Sequence, residues 1–277
     1  MRNKEISYNI NMKNSKKSFL FIIVVLITFA FLLTVSEARE INRKDFYRSL
    51  SSRLSKNRND YAYLSDYEFA NFRAVISTGI KAGKLYRSSS PVKAWGNRNI
   101  IADNAAKEAG VKTFINLADS YEEMKKRKEF SESYYSKQKI ICLNLNLKFK
   151  SKKFQDGVAR AVNFMAENPA PYLIHCDLGK DRCGIVCAII ESLAGASHDE
   201  IVNDYMISFY NYFGIRPGTD EYELVADNEI RAFLASIFEI KNIENANLQA
   251  AATKYLLKIG VSPENIEALK KQLGVRS

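Results

Sequence analysis

The hydrophobic pattern begins with an uncharged apolar run of 17 residues, from Phe19 to Val35, which follows a short basic stretch. A small-x-small triplet, Ser36-Glu37-Ala38, comes next. A basic start, an apolar stretch and a small-residue site are typical of a secretory signal peptide, cleaved here near Ala38. The run is also close to the minimum for a membrane span, so an uncleaved signal anchor is the alternative. Either way, residues 1–38 predict export to the periplasm or the exterior, and an anchor would add membrane association.

Residues 39–70 are polar with little periodicity, and we interpret them as a leader segment before a domain at 71–277. In that domain, short apolar runs alternate with amphipathic stretches. Strands are predicted at 84–87, 111–117, 139–145 and 170–175. Helices are predicted at 97–110, 120–135, 154–166 and 181–194, and then at 199–210, 220–240, 245–257 and 263–273. The alternation predicts an α/β fold, with a mainly parallel central sheet flanked by helices and a helical C-terminal tail.

Composition narrows the function classes. With 47% hydrophobic and 26% charged residues, the 277-residue chain is of ordinary globular composition. Four cysteines are too few for a disulfide scaffold, and two histidines argue against a histidine-based zinc site. No Cys-x-x-Cys occurs, which argues against thiol redox catalysis. The net charge of +10 suggests an anionic partner. Because the basic residues form no stripe with interleaved aromatics, nucleic acid is the least supported one.

The segment HCDLGKDRCG at residues 175–184 follows an apolar strand and opens a helix. Between Cys176 and Arg182, the five intervening residues can curl so that backbone N–H groups point inward, and the helix N-terminus adds its positive end. Arg182 offers a planar fork for two phosphate oxygens, and Gly179 permits a positive φ. These features predict an anion-binding loop.

Such a loop also stabilises a thiolate, so the Cys176 pKa is expected well below ~8.5. A thiolate beneath a bound phosphate is a nucleophile directed at phosphorus, which predicts covalent catalysis through a phosphocysteine. The alternative is a buried structural cysteine beside a solvated arginine. The combination of His175, Gly179 and the strand–loop–helix setting favours the catalytic interpretation.

The segment resembles the phosphate-binding loop of the cysteine-dependent protein tyrosine phosphatases, His-Cys-x5-Arg-Ser/Thr. Its Gly-Lys-Asp-Arg core is more similar still to the bacterial tyrosine-phosphatase-like, dual-specificity branch. The resemblance extends to the early strand at 84–88, to Asp204-Tyr205-Met206 with Ser208, and to the tail at 255–264. It therefore covers about residues 70–275 and implies the tyrosine-phosphatase fold.

The resemblance implies a role for each loop residue. Cys176 would be the nucleophile, His175 would support its low pKa, and no metal or other cofactor would be needed. In related enzymes, a lysine at the position of Lys180 accompanies activity on phosphoinositides. The alternative is that Lys180 is an ordinary solvated lysine. The residues implied in phosphate binding are Asp177, Leu178, Gly179, Lys180 and Arg182.

Two departures from the family pattern bear on catalysis, and the first concerns the general acid. The segment 143–150, where a tyrosine phosphatase usually carries an aspartate, contains no carboxylate. The leaving-group oxygen still needs a proton. In the Gly-Lys-Asp-Arg branch the loop aspartate is proposed for this role, and it matches Asp181, although that position also suits a helix-capping acid. Asp156 and Asp119 are the alternatives.

The second departure is Cys183, which stands where the family has Ser or Thr. A thiol is a weaker hydrogen-bond donor than a hydroxyl, so we expect slower turnover of the phosphoenzyme. Cys183 could also form a protective disulfide with Cys176 in an oxidising compartment. Cys187 and Cys142 are interpreted as small buried hydrophobic residues.

The sequence thus predicts a phosphoric monoester hydrolase that acts on a phosphorylated protein, with tyrosine or dual specificity. A phosphoinositide is a second candidate substrate. Two alternatives stay open. One is an inositol-polyphosphate, phytase-like phosphatase, which a larger basic pocket would favour. The other is a catalytically weak phosphate-binding module, suggested by Cys183 and the missing loop aspartate.

Overall fold

The computed structural model describes residues 43–60 and 63–275. The apolar run and cleavage site predicted at 19–38 lie outside the described residues. The described chain begins with helix α1 (Arg43–Arg53), and the chain from Arg53 onward forms one compact unit. Among the helices of the described residues, none has the length and hydropathy needed to cross a membrane.

The core of this unit is a five-stranded sheet in the order β1-β2-β5-β3-β4. Strand β1 is antiparallel to β2, and the other neighbours are parallel. The predicted α/β fold with a mainly parallel sheet is therefore confirmed. The strands are β1 (Arg73–Ala74), β2 (Leu85–Ser88), β3 (Thr113–Asn116), β4 (Lys139–Cys142) and β5 (Tyr172–His175).

Helices connect these strands and cover the sheet. Before the last strand they are α2 (Asp66–Ala70), α3 (Arg98–Glu108), α4 (Tyr121–Lys125) and α5 (Lys152–Glu167). After it come α6 (Asp181–Ala194), α7 (His198–Phe213), α8 (Asp220–Ala226), α9 (Ala232–Phe238), α10 (Leu248–Lys258) and α11 (Pro263–Leu273). The predicted helical tail is thus confirmed, with a π-helical segment (Asp227–Arg231) inside the helix that the pattern predicts at 220–240.

Strand β5 is the middle of the sheet, and all four of its residues are buried. In the parallel registers, His175 at its end stands opposite Ser88 of β2 and Asn116 of β3. The carboxyl ends of these strands therefore meet at one edge of the sheet, where ligands bind in open α/β folds. The loop between β5 and α6 lies at this edge.

The predicted helix at 120–135 is wrong in length. Its start is confirmed, because Ser120 and Glu123 form the expected capping box, but α4 ends at Lys125. Further along, both carboxylate oxygens of Asp103 accept backbone N–H groups of Tyr134 and Tyr135, at 2.8 and 2.9 Å. Tyr135 is fully buried. Tertiary packing of the aromatic residues thus overrides the helical propensity of the charged stretch between them.

The segment before Asn71 contributes to the compact unit. Tyr63 and Phe69 are buried and pack with Tyr212 of α7, and Leu178 of the loop lies against this cluster. The unit therefore includes residues ahead of position 71, where the sequence places the domain boundary. The boundary itself stays a prediction.

Candidate active site

The loop of residues 176–182 turns its backbone carbonyl oxygens outward. Each of the four carbonyls from 177 to 180 accepts a hydrogen bond from a group outside the loop. Because C=O and N–H point in opposite directions across a trans peptide, the N–H groups of residues 178–181 face the interior. The outside donors are the Ser90 amide to Asp177 (3.2 Å), Asn71 Nδ2 (3.0 Å) and Tyr212 Oη (2.8 Å) to Leu178, and Arg87 Nη2 to Gly179 (2.8 Å) and Lys180 (3.0 Å).

Gly179 is required at the sharpest point of the loop. Its φ is +68°, and a Cβ there would lie 2.3 Å from the Ser88 carbonyl oxygen. A side chain would therefore force the loop away from the end of β2. The sequence prediction of a positive φ at Gly179 is confirmed.

Arg87 supports the loop from below and is completely buried. Besides its two bonds to loop carbonyls, its Nη1 pairs with Asp204 of α7, which also accepts Arg73 Nε at 3.0 Å. Burial raises the pKa of Asp204, but the two guanidinium groups outweigh it and the net pKa is lowered. The Asp204-Tyr205 motif of the tail thus serves the loop, since Tyr205 also packs directly over Gly184 at the start of α6.

Cys176 lies at the bottom of the loop and is only 3% exposed. Its pKa is lowered to about 6, first by a hydrogen bond from the Cys183 thiol and then by the Arg182 charge, against the opposing effect of burial. The Cys183 amide N–H contributes as well. The expected depression of the Cys176 pKa is therefore found, and Cys183 is its largest cause.

The Cys183 thiol is fully buried, and its Sγ also lies 3.7 Å from the Ile174 carbonyl oxygen. Burial and the neighbouring Cys176 thiolate raise the Cys183 pKa well above its usual range, so Cys183 stays protonated as a donor. Both cysteines are free thiols in the structure, as are Cys142 and Cys187. The Cys176–Cys183 disulfide stays a prediction.

Arg182, in the first turn of α6, extends along the rim of the loop. Its Nη1 donates to the Leu145 carbonyl at 3.1 Å, and its Nη2 donates to Asp177 Oδ2 at 2.5 Å. The other Asp177 oxygen accepts Lys93 Nζ, also at 2.5 Å. Burial raises the pKa of Asp177, but Lys93 and Arg182 overcome this effect and the net pKa is lowered. Asp177 is therefore an ionised carboxylate held by two cations.

Lys180 and Asp181 form an ion pair with each other at the start of α6. The Lys180 side chain is only 14% exposed, and its Nζ lies 4.3 Å from the centre of the Phe209 ring. The Asp181 side chain is 34% exposed. Lys180 is thus a covered, paired cation, while Asp181 remains accessible beside the loop.

The two alternative acids are placed differently. Asp119 follows β3 at the same sheet edge but is 5% exposed, and its carboxylate accepts Arg127 Nη2 at 2.5 Å and Asn116 Nδ2 at 3.2 Å. Asp156 lies on α5 in an exposed pair with Lys152. Of the three candidates, Asp181 alone belongs to the loop and its helix.

His175 is buried directly before Cys176. Its Nε2 lies 3.0 Å from the Tyr135 hydroxyl, and burial lowers its pKa to about 4. The imidazole is therefore neutral near pH 7, which suits a positioning group better than an acid or base.

Two residues of the site were missed by sequence reasoning. Arg87 stands inside the strand motif at 84–88, but nothing in that motif indicates which element its guanidinium contacts. Lys93 follows a turn and has no local signal at all. Each is brought to the loop by the parallel pairing of β2 with β5.

Comparison with known proteins agrees with this geometry. A family model described as the tyrosine phosphatase family matches residues 34–274. The chain belongs to this family. That membership confirms the resemblance found in the sequence.

A curated member, a tyrosine-protein phosphatase from Nostoc commune, is 30% identical over 120 residues, 39% of this chain and 41% of that protein. The match thus spans less than half of the relative's length. Among solved structures, the core catalytic domain of the PP-IP phosphatase SIW14 from S. cerevisiae aligns with a TM-score of 0.34 and 21% identity. It covers 59% of this chain and 94% of that chain. A second structure, of the Siw14 catalytic core, aligns with a TM-score of 0.34 and 17% identity. It covers 56% of this chain and 95% of that chain.

Proposed function

We propose that the protein hydrolyses phosphate monoesters of proteins, with tyrosine or dual specificity, through a phosphocysteine on Cys176 and without a metal ion. One observation carries this proposal: the Cys176 thiol, with a pKa of about 6, lies at the bottom of a loop whose N–H groups face inward. A phosphoryl group bound by those amides and by Arg182 would stand directly above the sulfur.

The first step forms a bond between Cys176 Sγ and phosphorus and breaks the phosphorus–oxygen ester bond. The leaving oxygen takes a proton, which we assign to Asp181, because the other loop carboxylate, Asp177, is held ionised by Lys93 and Arg182. In the second step, water attacks phosphorus, inorganic phosphate leaves, and the sulfur returns to a thiolate stabilised by Cys183. Asp181 would accept the proton of that water.

The predicted N-terminal export segment puts this activity outside the cytoplasm, in secreted, periplasmic or membrane-anchored form. The substrates would then be phosphoproteins there, or phosphoinositides at a membrane surface. Expression with and without residues 1–38, followed by fractionation of cells and medium, tests this placement. Full-length protein that remains in the cytoplasm would contradict it.

The activity itself is tested with p-nitrophenyl phosphate and with phosphotyrosine and phosphoserine peptides in the presence of EDTA. We expect hydrolysis that Cys176→Ser abolishes. Phosphopeptide binding with no turnover in the wild type would instead support a phosphate-binding module. Phosphate release from inositol hexakisphosphate but not from peptides would support the phytase-like alternative.

A further inference from the structure

Three cations at the rim of the loop, Lys93, Lys180 and Arg182, are each paired with a loop carboxylate. Lys93 and Arg182 hold the two oxygens of Asp177, each at 2.5 Å, and Lys180 holds Asp181. With the Cys176 thiolate included, this group of side chains carries three positive and three negative charges. Its net charge is therefore zero before any substrate arrives.

Backbone hydrogen bonds hold the Lys93 segment beside Asp177 at the rim of the loop. The Lys93 amide N–H donates to Ser90 Oγ at 3.2 Å, and the Ser90 amide donates to the Asp177 carbonyl, also at 3.2 Å. The segment that carries Lys93 is thus fixed to the loop through its backbone. The ion pair itself adds little to folding stability, because the two side chains are 40% and 38% exposed.

Because the Asp177–Lys93 pair is partly exposed, a substrate that approaches the loop can contact it. A single phosphoryl group enters among the inward amides, the α6 N-terminus and Arg182, which together compensate its charge. A second phosphate on the same substrate would remain at the rim. It would meet the Asp177 carboxylate there, and Lys93 is already bound to that carboxylate.

We propose that Asp177, held by Lys93, is a specificity-determining residue that selects substrates with one phosphate over substrates with several. This inference rests on the proposed function and narrows its substrate class to phosphomonoesters of low charge. The sequence alone points the other way, because Lys180 and Arg182 suggest a basic pocket.

The test compares two opposite variants. Asp177→Asn removes the carboxylate and releases Lys93, and Lys93→Met leaves Asp177 without its outer cation. The readout is the ratio of kcat/KM for inositol hexakisphosphate to kcat/KM for a phosphotyrosine peptide. Because Asp177 also contacts Arg182, both rates will change, and the ratio isolates selectivity. We expect a rise of roughly tenfold for Asp177→Asn and a severalfold fall for Lys93→Met, the scale of one charge near a protein surface.

Glu267→Gln is the matched control, because it removes one exposed negative charge from α11 and should leave the ratio unchanged. Equal ratios in both loop variants, or the same rise in Glu267→Gln, would overturn the proposal. Dissociation constants for inositol hexakisphosphate and orthovanadate, measured by calorimetry, give the same selectivity without turnover. If the wild type hydrolyses neither substrate, the proposed function fails, and the calorimetric ratio still decides the role of Asp177.

Discussion

Arg87 reaches from strand β2 under the loop and donates from Nη2 to the Gly179 carbonyl oxygen at 2.8 Å. The same nitrogen also donates to the Lys180 carbonyl, while Nη1 pairs with Asp204. One fully buried guanidinium therefore fixes two loop peptides and links them to helix α7. These two bonds orient the neighbouring amide groups toward the space above Cys176.

Replacing Arg87 with Met should destabilise the protein by about 3–5 kcal/mol, because it leaves Asp204 as a buried charge with one partner fewer. The free energy of unfolding from urea titration measures this change. Arg53→Met is a matched control, since Arg53 pairs with Glu221 at the surface, where such a pair contributes about 0–1 kcal/mol. Equal losses in the two variants would contradict the structural role of Arg87.

Gly179→Ala should distort the loop, since the new Cβ would lie 2.3 Å from the Ser88 carbonyl and the φ of +68° strains any side chain. We expect the free energy of unfolding to fall by about 1–3 kcal/mol. We also expect that orthovanadate binding can no longer be measured. Gly110→Ala is the control, because Gly110 has a similar φ of +65° but no atom within 4 Å of its Cβ position. Wild-type orthovanadate affinity in Gly179→Ala would be inconsistent with this account.

The Cys183 thiol is the largest cause of the low Cys176 pKa, so Cys183→Ala should raise that pKa above about 6. Cys176 is an acid, and its reactive thiolate form is lost as the pH falls through the pKa. The iodoacetamide alkylation rate should therefore drop at a higher pH in the variant than in the wild type. Cys187→Ala, one helical turn further on, should leave the profile unchanged. Coincident profiles for Cys183→Ala and the wild type would refute the role of the thiol.

Cys183→Ser tests the same position by strengthening the hydrogen-bond donor, whereas Cys183→Ala removes it. A hydroxyl is a stronger donor than a thiol, so it should stabilise the departing thiolate better and speed phosphoenzyme hydrolysis. Rapid-quench kinetics should show a smaller phosphoenzyme burst and a higher kcat. An unchanged kcat with the same burst would mean that this step does not depend on residue 183.

Asp181→Asn should lower kcat/KM, which reports the step that expels the leaving group, by about 10²-fold or more for phosphoserine peptides, whose alkoxide leaving group needs a proton. The loss should be smaller for p-nitrophenyl phosphate, because its leaving group is far less basic. Asp156→Asn, in an exposed pair on α5, should change neither rate. If Asp181→Asn slows both substrates equally, Asp181 is not the proton donor.

The sequence predicts this fold well where local patterns and core packing agree. Helix α6 has the predicted bounds Asp181–Ala194 because a buried apolar face and Gly195 define it from nearby residues alone. The predicted helix at 120–135 is too long, because contacts with Asp103, which is distant in sequence, and the burial of Tyr135 decide where the chain turns.

Part of the loop can likewise be predicted from residues that are close together in the sequence. Cys176, Gly179 and Arg182 follow from spacing and from the strand–loop–helix setting. Lys93 and Arg87 depend on the pairing of β2 with β5, which no motif within either segment specifies. The effect of Cys183 also required coordinates, since only they show that its thiol hydrogen-bonds to the Cys176 sulfur and is the largest cause of the low Cys176 pKa.

The most direct test of the central claim is the chemical state of Cys176 during turnover. Wild-type protein mixed with p-nitrophenyl phosphate in EDTA, quenched in acid within milliseconds and digested, should yield a peptide phosphorylated on Cys176. The Cys176→Ser variant should yield none and should not hydrolyse the substrate. Hydrolysis that persists in Cys176→Ser, with no phosphorylated peptide from the wild type, would contradict the account.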